Sequence, residues 1–219
     1  MRGTKTGQSK FEICLIVEGN EEKCFFQIVK RLGLNDCFEL TIKNAFGYGN
    51  VGPYYQNYIS HEDIDCVLTV YDVDNKMDDS NSAYNEVLKG LISILGEEEQ
   101  TKAVSICANP NILQIFLLGC DCLPNVSLKD TVKANNSQLL RKYWPEMRKT
   151  YSAKEWQLEM MKNSFIYGIY HYDDLLTNLE ELSEDYYLLP GSNILSLLRA
   201  LKDGNESYFR NINQMAGIS

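Results

Sequence analysis

Residues 11–32 read FEICLIVEGNEEKCFFQIVKRL and predict a strand, a turn and a helix in direct succession. The run Phe11–Val17 is apolar and contains β-branched residues, which is typical of a buried strand. Turn-forming residues follow in Glu18–Asn20. Apolar residues then recur at helical spacing over Glu21–Leu32, and Gly33 ends the pattern. The segment therefore predicts a buried strand that is followed at once by an acidic residue and the start of a helix.

The alternation of strands and helices continues through the N-terminal half of the chain. Short apolar runs predict strands at Cys37–Lys43, Cys66–Tyr71 and Ala103–Cys107. Helical spacing between them predicts helices at Tyr54–Ile59 and Ser82–Leu95. Strands joined by helices pair in parallel, because each helix returns the chain to the same end of the sheet. We therefore predict an α/β, Rossmann-like fold with a mostly parallel four-stranded sheet flanked by helices.

The C-terminal half is predicted to be helical. Its helices are expected at Ile112–Leu118, Gln138–Tyr143, Ala153–Ile169, Tyr172–Leu182 and Asn193–Leu201. We accordingly divide the chain into a flexible basic tail over residues 1–10, an α/β core over residues 11–119, and a helical extension over residues 120–219 that packs on the core.

Composition excludes several classes of protein. With 44% hydrophobic and 23% charged residues, the 219-residue chain has the composition of a folded globular protein. No apolar run approaches the roughly 20 residues of a membrane helix. The seven cysteines are scattered, as reduced thiols are, and no histidine stands at zinc-like spacing from the close pair Cys120 and Cys122. We expect a cytoplasmic protein without a membrane span.

The net charge of −9 repels nucleic acid unless the charge is unevenly distributed. Residues 129–162 contain eight basic and four acidic residues, a local balance of 8 − 4 = +4. Tyrosines and tryptophans alternate with these basic residues, and the combination can bind phosphates and stack bases. The predicted nucleic-acid contacts are Lys133, Arg141, Arg148 and Lys149. The alternative is a helical hairpin with an aromatic core and a solvated charged face.

Acidic residues follow two of the predicted strands. Glu18 follows the first strand, and Asp72 and Asp74 follow the third. In an open α/β sheet the carboxyl ends of parallel strands lie at one edge, where ligands bind. We expect Asp72 and Asp74 to point the same way while Val73 points into the core. Carboxylates gathered at one edge predict a Mg²⁺ or Mn²⁺ site, because a hard cation relieves their repulsion. The alternative for Asp-x-Asp is a solvated turn.

The acids differ in the roles that their positions allow. Glu18 is predicted to bind the metal or to act as general acid or base, and Asp72 and Asp74 to bind metal in a catalytic site for phosphodiester cleavage. Glu21 and Glu22 stand in the first turn of the predicted helix, where acids stabilise the helix macrodipole. For Glu22 we favour the role of metal ligand, and for Glu21 the macrodipole alone.

Two segments, LIVEGNEE at residues 15–22 and VYDVD at residues 70–74, resemble the metal-binding motifs of the Toprim family. The closer resemblance is to the RloB-like Toprim proteins of bacterial restriction and phage-defence loci, and then to the Toprim domains of OLD nucleases. Further similarity lies in the FF pair of the first helix, in CANP at residues 107–110, and in LPGSNI at residues 189–194, which leads into the predicted last helix.

The resemblance implies a Toprim fold and a Mg²⁺- or Mn²⁺-dependent nuclease that acts on DNA or RNA in bacterial antiviral defence. It also implies an ABC- or AAA-type ATPase encoded nearby as a partner, and it leaves homo-oligomerisation open. The chain has no G-x-x-x-x-G-K-[ST] phosphate loop. A nucleotide-driven step therefore needs another subunit.

The resemblance also assigns roles by position. Glu18, Asp72 and Asp74 match the metal and acid/base residues of Toprim sites, and Glu22 matches the second acid of OLD-type sites. The residues expected to support the site are Gly19, Asn109 and Pro110. One departure concerns Gln114, because RloB-like proteins tend to follow Asn-Pro with an aromatic residue, Glu and Trp. This departure and the net charge of −9 keep open a second function, a catalytically inactive Toprim scaffold or sensor that binds an ATPase or a phage protein.

Overall fold

The computed structural model describes residues 10–74, 77–121, 153–186 and 191–218. Several predicted features lie outside the described residues. They are residues 1–9 of the tail, the helix Gln138–Tyr143, and the nucleic-acid contacts Lys133, Arg141, Arg148 and Lys149.

A five-stranded sheet forms the centre of the described structure, with the strand order β2-β1-β3-β4-β5. The strands are β1 (Phe11–Val17), β2 (Phe38–Asn44), β3 (Cys66–Asp72), β4 (Ser105–Asn109) and β5 (Gly191–Ser192). The first four strands pair in parallel, and β5 pairs antiparallel with β4. The predicted α/β fold with a mostly parallel sheet is confirmed, but the predicted number of four strands is wrong because β5 joins the sheet.

Strand β5 comes from the C-terminal part of the chain and is attached to β4 by side chains as well as by backbone pairing. The Ser192 hydroxyl donates a hydrogen bond to the Cys107 carbonyl at 2.6 Å. Asn193 accepts from the Cys107 N–H at 2.8 Å and donates to the Ser105 carbonyl at 2.7 Å. A strand of two residues has no periodicity for the sequence to reveal, which is why it is not predicted.

Helices cover the sheet. In chain order they are α1 (Asn20–Leu32), α2 (Val51–Ile59), α3 (Ala83–Leu95), α4 (Glu98–Val104), α5 (Ile112–Leu117), α6 (Ala153–Ile166), α7 (Tyr172–Leu179), α8 (Ile194–Asp203) and α9 (Glu206–Met215). The sequence does not predict α4 and α9, so LPGSNI does not lead into the last helix. Every helix among the described residues is too short or too polar to cross a membrane.

The fourth strand begins later than predicted. Ala103 and Val104 belong to the last turn of α4, and β4 starts at Ser105. The Ser105 hydroxyl donates to the Thr101 carbonyl at 2.8 Å, which ties the start of the strand to the end of the helix. A short apolar run does not distinguish a buried helical turn from a strand, and this ambiguity explains the wrong boundary.

Burial explains why β1 and β3 lie at the centre of the sheet. The side chains of Ile13–Val17 are fully buried, and so is nearly all of Cys66–Tyr71. On α1, the rings of Phe25 and Phe26 are fully buried and pack edge to face with centroids 5.1 Å apart. Each such ring contributes about 1.5–3 kcal/mol through burial. Helix α1 is therefore held firmly on the sheet, and so is the turn that precedes it.

The strand order creates a crevice between β1 and β3. From β1 the chain passes through α1 to β2 on one side, and then through α2 to β3 on the other side. Right-handed crossovers in opposite directions place α1 and α2 on opposite faces of the sheet. The loops that leave β1 and β3 therefore diverge, and ligands of open α/β sheets bind in the space between such strand ends.

Candidate metal site

Glu18 and Asp72 meet at the crevice between the ends of β1 and β3. Parallel pairing places Val17 beside Val70, so that Glu18 leaves β1 close to the end of β3. The Glu18 N–H donates to the Val70 carbonyl at 2.9 Å. The Glu18 carboxylate in turn accepts a 3.4 Å hydrogen bond from the Asp72 N–H. The structure thus brings together two predicted site residues that are far apart along the chain.

The Asp72 carboxylate lies between a backbone donor and other acids. Its Oδ1 accepts a hydrogen bond from the Ile112 N–H at 2.9 Å, just where α5 begins. Burial raises the pKa of Asp72 well above its usual range, and the charges of Glu22 and Glu18 raise it further. The hydrogen bond from the Ile112 N–H lowers the pKa of Asp72. An ionised carboxylate in this place needs a counter-charge.

Glu22 is buried in the first turn of α1, with only 4% of its surface exposed. Its Oε2 accepts a hydrogen bond from the Gly19 N–H at 2.8 Å. Burial raises the pKa of Glu22 to about 7, and the charges of Glu18 and Glu21 act in the same direction. A Cβ on Gly19 would lie 3.2 Å from that oxygen, so glycine gives the carboxylate room. An acid that only stabilised the macrodipole would not need burial among other acids.

Three carboxylates converge at this point. Glu21, Glu22 and Asp72 each offer one oxygen, and these three oxygens lie within 4.8 Å of one another. Sequence reasoning assigns Glu21 to the macrodipole alone and so misses its place in the cluster. The spacing from Glu18 to Glu21 carries no helical signal, because Glu18 precedes the helix. Only the position of Asp72 on the neighbouring strand reveals the role that Glu21 can take.

Asp74 is placed differently from the prediction. Strand β3 ends at Asp72, so the alternation of a strand does not continue to Asp74. Its backbone has a positive φ of 54°, its side chain is exposed, and its N–H donates to the Pro110 carbonyl at 2.9 Å. Val73 is buried, as predicted. Asp74 is not one of the three acids whose oxygens converge, although its charge raises the pKa of Asp72.

The segment after β4 supports the loop that carries Asp74. Asn109 is buried and donates from Nδ2 to the Tyr186 carbonyl at 3.0 Å. Pro110 follows a cis peptide bond and presents its carbonyl to Asp74. Gln114 is buried in α5, and its N–H donates to the Asn111 side chain at 3.3 Å. Each of these contacts involves a backbone group and none involves a charged side chain, and the one with Pro110 reaches Asp74 directly.

The loop after β2 lies beside the same crevice. The Gly47 N–H donates to the Glu18 carbonyl at 2.8 Å, and Gly47 has a φ of 128° that favours glycine. Asn44 accepts from the Phe46 N–H at 2.7 Å and donates to the Asn20 side chain at 2.8 Å. Phe46 has a positive φ of 59° and is 73% exposed. The loop thus exposes an aromatic ring at the residue just before its backbone contact with Glu18.

The donor set fits a hard divalent cation. Among the described residues, the side-chain charges that act most strongly on Glu22 and Asp72 all belong to carboxylates. Two carboxylates about 4 Å apart repel by up to about 4 kcal/mol at an effective dielectric near 20. Oxygen ligands from several carboxylates are those that Mg²⁺ and Mn²⁺ prefer. The arrangement can therefore bind such an ion at the carboxyl ends of β1 and β3.

Comparison with protein-family models, with curated proteins and with solved structures finds no match to this chain.

Proposed function

We propose that this protein is a Mg²⁺- or Mn²⁺-dependent nuclease of the Toprim, RloB-like type. The observation that carries the proposal is the convergence of Glu21, Glu22 and Asp72 beside Glu18, at the crevice where an α/β sheet binds its ligands. The motifs LIVEGNEE and VYDVD, on which the resemblance to Toprim proteins rests, supply all four of these acids. Motif and geometry therefore support the same site.

The acids take distinct roles in this proposal. Glu21, Glu22 and Asp72 would hold the metal ion, and Glu18 would be a further ligand or the general acid or base. A bound ion would polarise a phosphoryl oxygen and stabilise the charge that develops as the phosphodiester breaks. The chain itself orients the ligands, since backbone N–H groups bond to the carboxylates of Glu22 and Asp72. Asp74, at the rim, would contribute charge or reach the metal through water.

The test is cleavage of plasmid DNA and of labelled single-stranded RNA by the purified chain with Mn²⁺, Mg²⁺ or EDTA. We expect products with Mn²⁺ and none with EDTA. A Glu18→Gln variant should keep the circular dichroism spectrum of the wild type and lose cleavage. Equal cleavage by wild type and variant would assign the activity to a contaminant or to another site and would end the proposal.

The biological setting that we propose follows from the resemblance alone. RloB-like proteins tend to be encoded beside ABC- or AAA-type ATPases, and this chain carries no phosphate loop. We therefore propose a cytoplasmic antiviral protein whose cleavage is controlled by such an ATPase. Co-expression with the ATPase of a neighbouring gene should change the nuclease rate when ATP is added, and an unchanged rate would argue against this partner.

A non-catalytic scaffold is the second candidate, and Gln114 is the observation that favours it. This neutral side chain is buried, and it stands, with one residue inserted, near the place after Asn-Pro where RloB-like proteins tend to have a glutamate. A scaffold would bind an ATPase or a phage protein without cleaving nucleic acid. Divalent metal then should not raise the melting temperature of the purified chain, whereas an active site should give a clear rise.

A further inference from the structure

A groove lies between α1 and α6, with a volume of about 520 Å³. Three cationic side chains line it, Lys30, Arg31 and Lys162, and the described residues of its lining include no acid. Its apolar lining includes Phe165 and Ile166, and Ile166 is 68% exposed. Ligand sites commonly have volumes of about 300–1,000 Å³. In a chain with a net charge of −9, the groove is a local concentration of positive charge beside apolar side chains.

The groove begins next to the acidic cluster. Glu21, Cys24, Ile28 and Arg31 follow one another on α1 at intervals of three and four residues, which places them on one face of the helix. At 1.5 Å per residue, about 15 Å along the helix axis separates Glu21 from Arg31. Burial raises the pKa of the Cys24 thiol to about 11, and the charges of Lys162, Glu159 and Glu21 also act on this thiol. The Cys24 end of the groove therefore lies one helical turn from Glu21, a candidate metal ligand.

Each cation of the groove already has a partner in the structure. The Arg31 guanidinium lies over the Phe165 ring, 5.3 Å from its centroid, and the Arg31 side chain is exposed. Lys30 and Lys162 form ion pairs at the surface, with Glu39 at 2.8 Å and with Glu159 at 2.9 Å. Exposed ion pairs typically contribute about 0–1 kcal/mol, so a phosphate can compete with these two glutamates. Lys30 also donates to the Leu40 carbonyl at 2.6 Å, and a phosphate there would replace only the contact with Glu39.

We propose that this groove holds a single strand of nucleic acid, with its phosphates on Arg31, Lys162 and Lys30 and a base against Phe165. This inference rests on the proposed nuclease function and names the form of its substrate. A strand in the groove would run along α1 and present its next phosphodiester at Glu21. A single strand fits because its exposed bases can stack on an aromatic ring, which the bases of a duplex cannot do.

The test is binding of a fluorescent single-stranded oligonucleotide, of DNA and of RNA, in EDTA so that cleavage does not contribute. The double variant Arg31→Ala/Lys162→Ala should bind at least about tenfold more weakly. The slope of log affinity against log salt should become shallower by about 0.7 for each phosphate that the variant no longer neutralises. The matched control Lys89→Ala/Arg199→Ala removes the same charge from α3 and α8 and should bind like the wild type.

A second variant separates stacking from charge. Phe165→Ala should weaken binding about fivefold or more and change the salt slope less than the double variant does, because stacking releases no counterions and both Arg31 and Lys162 keep their charge. A matched duplex should bind more weakly than the single strand. The double variant Arg31→Ala/Lys162→Ala should bind the duplex with the same affinity as the wild type does.

The outcomes separate the two proposals. Equal affinities for the groove variant and its control would overturn the groove assignment, even if the wild type cleaves with Mn²⁺. Equal groove-dependent binding of duplex and single strand would overturn the single-strand assignment. Groove-dependent binding of single strands without any metal-dependent cleavage would support the groove and refute the nuclease proposal.

Discussion

The first turns of α1 and α4 have nearly the same local sequence and very different surroundings. Residues 19–23 read GNEEK and residues 96–100 read GEEEQ, so each stretch has glutamates two and three positions after its glycine. Both pairs lie in the first turn of a helix, where their charge stabilises the macrodipole. By local pattern alone, the two turns would be given the same role.

Their neighbours separate them. Glu98 and Glu99 are exposed, and both lie near the Lys102 ammonium, at 2.9 and 3.4 Å. Glu22 is buried instead, and its carboxylate converges with those of Glu21 and Asp72. The difference arises because α1 starts at the carboxyl end of a central strand, beside another strand that ends in an acid. An acidic first turn becomes a candidate metal site only where the sheet adds a further carboxylate.

The largest expected difference between the two turns is in catalysis. Glu22→Gln or Asp72→Asn should lower the rate of Mn²⁺-dependent cleavage by at least about a hundredfold, because even supporting residues of metal sites contribute 10–100-fold. Glu98→Gln, the matched change in α4, should leave the rate within about twofold. Initial rates of cleavage of labelled nucleic acid would measure this. Comparable losses of rate in Glu22→Gln and Glu98→Gln would mean that the two turns do not differ in catalysis.

Metal-dependent stability is the next largest effect. At a Mg²⁺ or Mn²⁺ concentration of about 100 times the dissociation constant, the free energy of unfolding of the wild type should rise by about 2.7 kcal/mol. Asp72→Asn should abolish this rise, while Glu99→Gln should retain it. Denaturant unfolding with and without metal would measure the effect. A rise that persists in Asp72→Asn would place the metal elsewhere.

Without metal, the matched substitutions in the two turns should change the free energy of unfolding in opposite directions. In EDTA at pH 7 or above, Glu22→Gln should raise the free energy of unfolding by about 1–2 kcal/mol, because it removes a buried charge that lies near other carboxylates. The amide oxygen can still accept the hydrogen bond from Gly19. Glu98→Gln should lower it by a few tenths of a kcal/mol, about the contribution of an exposed ion pair. A loss of stability in Glu22→Gln would mean that this carboxylate is structural.

The smallest effect tests whether the first turn of α4 is an ordinary helix start. Lys102→Ala should cost about 0.2–0.5 kcal/mol of unfolding free energy, and the cost should shrink at high salt. Unfolding at low and high ionic strength would measure this. A cost that is independent of salt would indicate that Lys102 contributes packing rather than charge.

Long apolar runs were the most informative part of the sequence for the fold. The predicted bounds of β1 match the structure, and β3 is longer than predicted by one residue, Asp72. Both strands are recognisable because buried parallel strands need continuous apolar side chains. The boundary between α4 and β4 was wrong because Ala103 and Val104 suit a helix as well as a strand. Strand β5 escaped prediction because its contacts with β4 are made by only a few residues far apart along the chain.

The sequence predicts which acids stand at the strand ends, and the structure shows which of them lie together. Strand ends and turn residues can be recognised in the sequence, so the positions of Glu18, Glu22 and Asp72 can be predicted. The structure brings these three acids together. The backbone of Asp74 does not have strand geometry, because β3 ends at Asp72 and Asp74 has a positive φ. Glu21 joins Glu22 and Asp72 through a contact between two elements that are joined only across the sheet.

The amino-acid pattern alone establishes which segments are buried strands, which are amphipathic helices, and which acids stand at their ends, because these properties depend on residues a few positions apart. Tertiary structure decides which acids share a crevice, and it makes GNEEK a candidate metal site while GEEEQ stays a solvated helix start. The physical reason is that the energy of a carboxylate depends on burial and on charges within a few ångströms. Those neighbours come from strands and helices that the chain brings together only when it folds.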